Sequence, residues 1–98
     1  MPKTRTDPAI FREAAKCLRI LSHPVRLQLV DLLLQDAYSV GELAEECGLL
    51  PHVTSEHLRK LETCGLLTKE KKGRSTYYRS AQDCVGQIMA CIHCNFEG

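Results

Sequence analysis

Six cysteines in a 98-residue chain are the residues most able to do chemistry, at positions 17, 47, 64, 84, 91 and 94. The run Cys91-Ile92-His93-Cys94 places two thiols three residues apart with an imidazole between them. On a helix such neighbours lie on adjacent turns of one face and could chelate a single thiophilic ion, with metal–sulfur bonds of about 2.3 Å for zinc. Cys84 cannot join them within one helix, because a rise of about 1.5 Å per residue carries it roughly 10 Å along the axis. A thioredoxin-type reading of the C-x-x-C fails on position. That chemistry needs the first thiol at a helix N-terminus, where the dipole lowers its pKa, and Cys91 falls in the last turns of the chain's final helical pattern. Cys17 lies on an apolar helical face, and Cys47 and Cys64 stand directly before glycines, all common places for a small buried residue.

A second group with chemical potential is cationic. The formal net charge is only +1, but it is unevenly spread. Residues 1–51 hold six Lys/Arg against seven Asp/Glu, residues 52–79 hold seven against three, and residues 80–98 hold two acids and no Lys or Arg. A cationic middle between weakly acidic ends suits contact with a polyanion through one segment while the others pack together.

These groups must be positioned by consecutive short elements. Asp7-Pro8 is an N-cap with proline at the first helical position, and Ile10, Phe11, Ala14, Cys17, Leu18 and Leu21 follow at helical spacing. Ser22-His23-Pro24 interrupts, and a second helix runs from Pro24 to about Gln35 with Val25, Leu29, Leu32 and Leu33 inward. Ser39 with Glu42 three residues on is a capping-box pattern opening a short helix that Gly48 terminates. After a turn at Gly48-Leu49-Leu50, Pro51 opens another helix that runs to about Cys64, with Thr54, Leu58 and Leu61 inward and Gly65 as its stop. Two short helices across a tight turn make a helix-turn-helix.

Leu66–Lys71 and Ser75–Arg79 have strand-type composition and flank Lys72-Gly73-Arg74, which reads as a basic hairpin, or wing. From about Gln82, Val85, Ile88, Met89, Ile92 and Phe96 form an apolar stripe at helical spacing that must be buried. The fold class expected is mainly α with a small β-hairpin wing: a winged helix-turn-helix of about five helices, in one domain over residues 7–98 after a flexible start at 1–6.

In that fold the helix from Pro51 lies in the DNA major groove, where base edges offer donors and acceptors. Its outward positions make His52, Val53, Ser55 and Arg59 the expected DNA contacts, early residues on bases and later ones on phosphates; His57, beside the inward row, is a further candidate contact, although a histidine so placed more often packs or hydrogen-bonds inside the fold. Lys71, Lys72 and Arg74 at the wing tip would follow the neighbouring backbone or minor groove. Glu56 is expected to offset Lys60 at i+4 rather than read a base.

The run Leu21-Ser22-His23-Pro24-Val25-Arg26-Leu27 resembles the first junction of the ArsR/SmtB family of metal-responsive repressors. Val40–Ala44, Ser55–Leu61 and Gly65-Leu66-Leu67 resemble its helix-turn-helix, and Gly73-Arg74 to Tyr77-Tyr78 its wing. The likeness covers roughly Ala9 to Ile92. It implies a homodimer through the first and last helices, seated on double-stranded operator DNA at an inverted repeat and released by an inducer. Of the family's ligand sites, the paired cysteines before the turn are replaced by Ser39 and Gly41. The last-helix site finds at best Asp83. What remains is Cys91 and Cys94 with His93, and Cys17 as a third thiolate because the family packs its first and last helices together across the dimer. Candidate inducers are Zn, Cd, Cu(I) or arsenite, or thiol oxidation; no cofactor is certain. A repressor without metal response, and a protein-interaction module on the same fold, are the alternatives. No nucleophile with a placed base and no phosphate-binding glycine loop is present, so the chain is not expected to be an enzyme. No apolar run long enough for a membrane span and no signal-type N-terminus are found, giving a cytoplasmic expectation with no membrane partner.

Overall fold

The computed structural model describes residues 5–81 and 84–97. Its elements in chain order are α1 (Pro8–Leu21), α2 (Pro24–Gln35), β1 (Tyr38–Ser39), α3 (Val40–Cys47), α4 (Pro51–Thr63), β2 (Leu67–Lys72), β3 (Ser75–Ser80) and α5 (Cys84–Phe96). The helix starts are those the capping residues dictate. Asp7 accepts from the Ala9 amide at 2.9 Å, and the Ser39 hydroxyl accepts from the Glu42 amide at 3.2 Å while the Glu42 carboxylate accepts from the Ser39 amide at 2.9 Å. His23 caps α2 through its ring, Nδ1 accepting from the Val25 amide at 3.2 Å. Proline at the first turn of α1, α2 and α4 loses nothing there, since that amide would lack a helical partner anyway.

Both helices of the central motif stop by the same geometry. Gly48 adopts φ 64° and Gly65 φ 83°, left-handed values that glycine takes without a Cβ clash. The Leu49 amide reaches back to the Ala44 carbonyl at 2.8 Å, and Leu66 to Leu61 at 3.0 Å, closing each helix in a Schellman-type end. The position read as the last residue of α4, Cys64, is its C-cap.

The sheet has the order β1-β3-β2, all antiparallel, with Leu67 opposite Ser80 and Lys72 opposite Ser75. The hairpin is the expected wing. The two-residue strand β1 was not expected: Tyr38 pairs with Tyr78 and Ser39 with Tyr77, and so short a segment carries no alternation to reveal it. Inside, Leu21, Leu29, Val30, Leu33, Leu43, Leu58, Leu61, Leu66, Leu67, Tyr78, Val85 and Met89 form one core.

The apolar stripes of the two terminal helices are only half covered. Val85 and Met89 of α5 are buried, but Ile88 and Phe96 are exposed, against the expectation of a fully buried stripe. On α1, Leu21 is buried while Ile10, Phe11 and Leu18 are more than half exposed. The reason is that nothing in a single chain lies over this side. Between the helices an open groove of about 290 Å³ is lined by Ala14, Cys17, Leu18, Leu21, Leu66, Val85 and Ile88. The expected start of α5 at Gln82 and the expected flexible residues 1–4 fall outside the described residues.

Leu58 has no exposed surface and sits where α4 meets the rest of the core. Leu58→Ala should therefore lower the unfolding free energy by about 3 kcal/mol, read from urea denaturation at fixed protein concentration.

Candidate nucleic-acid interface

α4 turns Thr54, Leu58 and Leu61 inward to complete burial, and the Thr54 hydroxyl donates to the Leu50 carbonyl at 3.1 Å. That row fixes the outward face by helical geometry alone. His52 and Arg59 are exposed on it, and Val53 and Ser55 half-buried. Glu56 and Lys60 are both exposed, but among the described residues they form no ion pair, contrary to expectation.

Strand alternation decides which wing cations share this face. Leu67 points into the core, so Lys69 and Lys71, two and four residues on, lie on the α4 side of the sheet. They line a hollow of about 440 Å³ together with Val40, Ser55, Arg59, Thr76 and Tyr78. Lys69 is tied to Glu62 of α4 at 3.4 Å, while Lys71 has no acidic partner among the described residues. Lys72 falls on the opposite face by the same alternation, in a hollow with Asp36, Glu70, Tyr77 and Arg79 that the long Lys69 side chain also borders. Arg74 follows Gly73, which turns the hairpin at φ 63°, and is exposed. The basic set beside the reading helix is therefore Arg59, Lys69 and Lys71. Period-2 counting from Leu67 places Lys69 with Lys71 on this face, a partition that composition alone does not reveal.

His57 takes the packing and hydrogen-bonding place that its position beside the inward row favours over DNA contact. It is half-buried and turned to the start of α2, where its Nδ1 accepts from Arg26 Nε at 3.1 Å and its ring meets that of His23 at 4.7 Å. The same guanidinium donates to the Ile20 carbonyl at 2.9 Å, so Arg26 joins the end of α1 to α4. With Nδ1 an acceptor, the neutral ring carries its proton on Nε2. Burial, then the nearby His23, Arg26 and Lys60, push its pKa below the ordinary 6.5.

His93 behaves oppositely. Its Nε2 meets Asp31 of α2 at 2.8 Å and its Nδ1 meets Glu97 at 2.7 Å, so both nitrogens face carboxylates. Hydrogen bonding to Asp31 and then Glu97 raises its pKa. The ligand set read as Cys91, Cys94, His93 and Cys17 divides accordingly. Cys91 and Cys94 are exposed on α5, His93 is held by Asp31 and Glu97, and the Cys17 thiol donates to the Cys64 carbonyl at 3.5 Å. Among the described residues no three His, Cys, Asp or Glu side chains come together to hold a metal ion.

The helix-turn-helix segment, residues 23–69, matches the family model for the bacterial regulatory protein arsR family. The biofilm growth-associated repressor of Xylella fastidiosa (strain Temecula1) is 32% identical over 84 residues, 86% of this chain and 74% of that protein. The chain belongs to the arsR family. Among solved structures, NolR from Sinorhizobium fredii matches with TM-score 0.84 and 28% identity over 98% of this chain and 96% of that one. The homodimeric winged helix-turn-helix DNA-binding domain Mb0332 from Mycobacterium bovis matches with TM-score 0.80 and 26% identity, covering 96% and 87%. This ArsR-family chain is thus a transcriptional repressor with a winged helix-turn-helix DNA-binding fold, in a family of regulators rather than enzymes. No helix among its described residues is long and apolar enough to cross a membrane.

The two histidines give stability opposite pH dependence. For His57, whose pKa falls on folding, the contribution is present above about 6.5 and is lost as pH drops through the lowered folded value. For His93, whose pKa rises, it is present below about 6.5 and is lost as pH climbs through the raised value. Denaturation midpoints between pH 5 and 8 should show a shallower acid-side loss in His57→Gln and a shallower alkaline-side loss in His93→Gln.

Proposed function

We propose that the protein acts as a homodimer, contributes one α4 from each protomer to successive major grooves of an inverted-repeat operator in the cytoplasm, and represses by occupying it. The observation that carries this reading is the convergence of Ser55 and Arg59 of α4 with Lys69 and Lys71 of the wing around one open hollow. A helix in the major groove brings phosphates on its flank against such cations. His52, Val53 and Ser55, nearest the start of α4, meet base edges; Arg59, Lys71 and Arg74 meet phosphates, with Lys72 reaching the backbone from the outer face of the wing. Residues 7–98 act as a single unit in this reading.

Dimerisation is supported by the groove between α1 and α5 and by Ile10, Phe11, Leu18 and Ile88 exposed beside it. An uncovered apolar face of this kind is normal for a subunit surface and unfavourable in water. A second copy related by a two-fold axis covers it self-complementarily and sets two half-sites about one helical turn apart. The homodimeric Mycobacterium bovis domain, alike over nearly all of this chain, supports the same assembly.

Release by a thiophilic metal or arsenite rests in this reading on Cys91 and Cys94, adjacent exposed thiols on α5. His93 would first have to leave Asp31 and Glu97 to join them.

Affinity for a duplex selected by the protein from a random pool should fall steeply with salt, and Arg59→Ala, Lys71→Ala and Arg74→Ala should each reduce the log–log salt slope by about one. Salt-insensitive binding, or binding unchanged in the Arg59→Ala/Arg74→Ala double variant, refutes the repressor interface. Leu18→Glu should yield a monomer by sedimentation with the same loss of affinity. Titrating the duplex complex of the reduced protein with Zn, Cd, Cu(I) or arsenite should release DNA in wild type and not in Cys91→Ser/Cys94→Ser; equal release in both rules out the C-terminal thiols.

A further inference from the structure

Two cysteines assigned by the sequence to different roles are neighbours in space. Cys17 of α1 and Cys64 at the end of α4 are 47 positions apart, yet the Cys17 thiol donates to the Cys64 carbonyl at 3.5 Å. The Cys64 thiol donates in turn to the Leu61 carbonyl at 3.4 Å, and the neighbouring Cys17 thiol bears on its ionisation. Both are half-buried free thiols, and both residues line an open cleft of about 740 Å³. Glu13, Lys16, Arg59 and Lys60 also line it, so the cleft is wet and charged rather than an apolar interior. Core-filling cysteines do not need a second thiol or a solvent-open approach. A dithiol that reacts with a soluble oxidant needs both.

We propose that Cys17 and Cys64 form a reversible dithiol–disulfide site, oxidised by small-molecule disulfides entering from this cleft, and that the bond weakens DNA binding by tying α1 to the end of the reading helix. The chemistry is thiol–disulfide exchange. The thiolate of one cysteine attacks a sulfur of RSSR, a mixed disulfide forms, and RS⁻ leaves to take up the proton that the thiol lost. The second cysteine then attacks the protein sulfur of that mixed disulfide, releasing the second RS⁻ with its proton. Two protein thiols lose two electrons and one RSSR becomes two RSH.

The structural consequence follows from what the S–H groups hold. Oxidation removes both donors, from the Cys64 carbonyl and from the Leu61 carbonyl, and replaces them with an S–S bond of about 2.05 Å. The last turn of α4 must move toward α1. Arg59, one turn earlier and lining the same cleft, moves with it away from its phosphate. Burial first, and then the neighbouring Cys17, raise the pKa of Cys64, which makes it the slower of the two thiols to attack as a thiolate. The disulfide stands on geometry alone; its effect on DNA rests on the repressor reading.

The test uses the full chain carrying Cys91→Ser and Cys94→Ser, so that the C-terminal thiols take no part. Reduced protein is incubated with oxidised glutathione, remaining thiols are alkylated, and a tryptic digest is read by mass spectrometry. The expected product joins the peptide Cys17–Arg19 to Leu61–Lys69, and reverts with dithiothreitol. Affinity for the selected duplex should drop about tenfold on oxidation and stay constant in Cys17→Ser and in Cys64→Ser, whose binding when reduced shows that they fold. Both thiols recovered alkylated, or linked only to other cysteines, overturns the site. A Cys17–Cys64 link with unchanged DNA affinity overturns its regulatory effect. Reduced protein that selects no duplex at all refutes the repressor reading instead, and the peptide map still decides the disulfide.

Discussion

What α4 can offer to a partner is set by the complete burial of Thr54, Leu58 and Leu61. Three residues at i, i+4 and i+7 leave the helix no rotational freedom about its axis, because a turn of even one position would expose a leucine and bury a charge. The glycine stops at Gly48 and Gly65 act on the same element from its two ends, one delivering the chain into α4 and the other directing it out toward the wing. Exposed residues of the reading helix are thus a by-product of how its core row is satisfied. Their usefulness depends on that row being rigid.

The polar contacts around this core have a clear division of labour. Arg26 joins α1, α2 and α4 through a neutral histidine, which works only while His57 remains unprotonated. His93 joins α5 to α2 through Asp31 and is favoured when charged. The first tie strengthens toward the alkaline side of neutrality and the second toward the acid side, so the two terminal helices and the reading helix are held together across a range in which neither contact alone would suffice. His93 is exposed, so its bond acts more on where α5 lies than on overall stability.

Much of this was legible in the residues. Caps at Asp7 and Ser39, the proline starts, the glycine stops and the 3.6-residue rows placed every helix to within a residue or two where the structure describes it. The winged helix-turn-helix followed from their order. Three things were not legible for physical reasons. β1 is too short to have a period. The partition of the wing cations depends on pleat register, so composition alone groups Lys71, Lys72 and Arg74 and gives no sign that Lys69 joins Lys71 beside α4. Side chains that meet across the fold, such as His57 with Arg26 or Cys17 with Cys64, leave no local signal, and a helical wheel could only call His57 borderline and Cys17 apolar.

Ser39 occupies two structural positions at once. Its side chain caps α3, and its backbone pairs with Tyr77 in the middle strand of the wing. The hairpin is therefore not a flap on a free hinge. Any bending of the wing as it follows a groove pulls on the residue that begins the helix-turn-helix, and any tilt of α3 is felt at the strand carrying Tyr77 and Tyr78. The two parts that would touch nucleic acid share one pivot of two residues, so they engage as a single gauge of groove width and depth rather than as independent fingers.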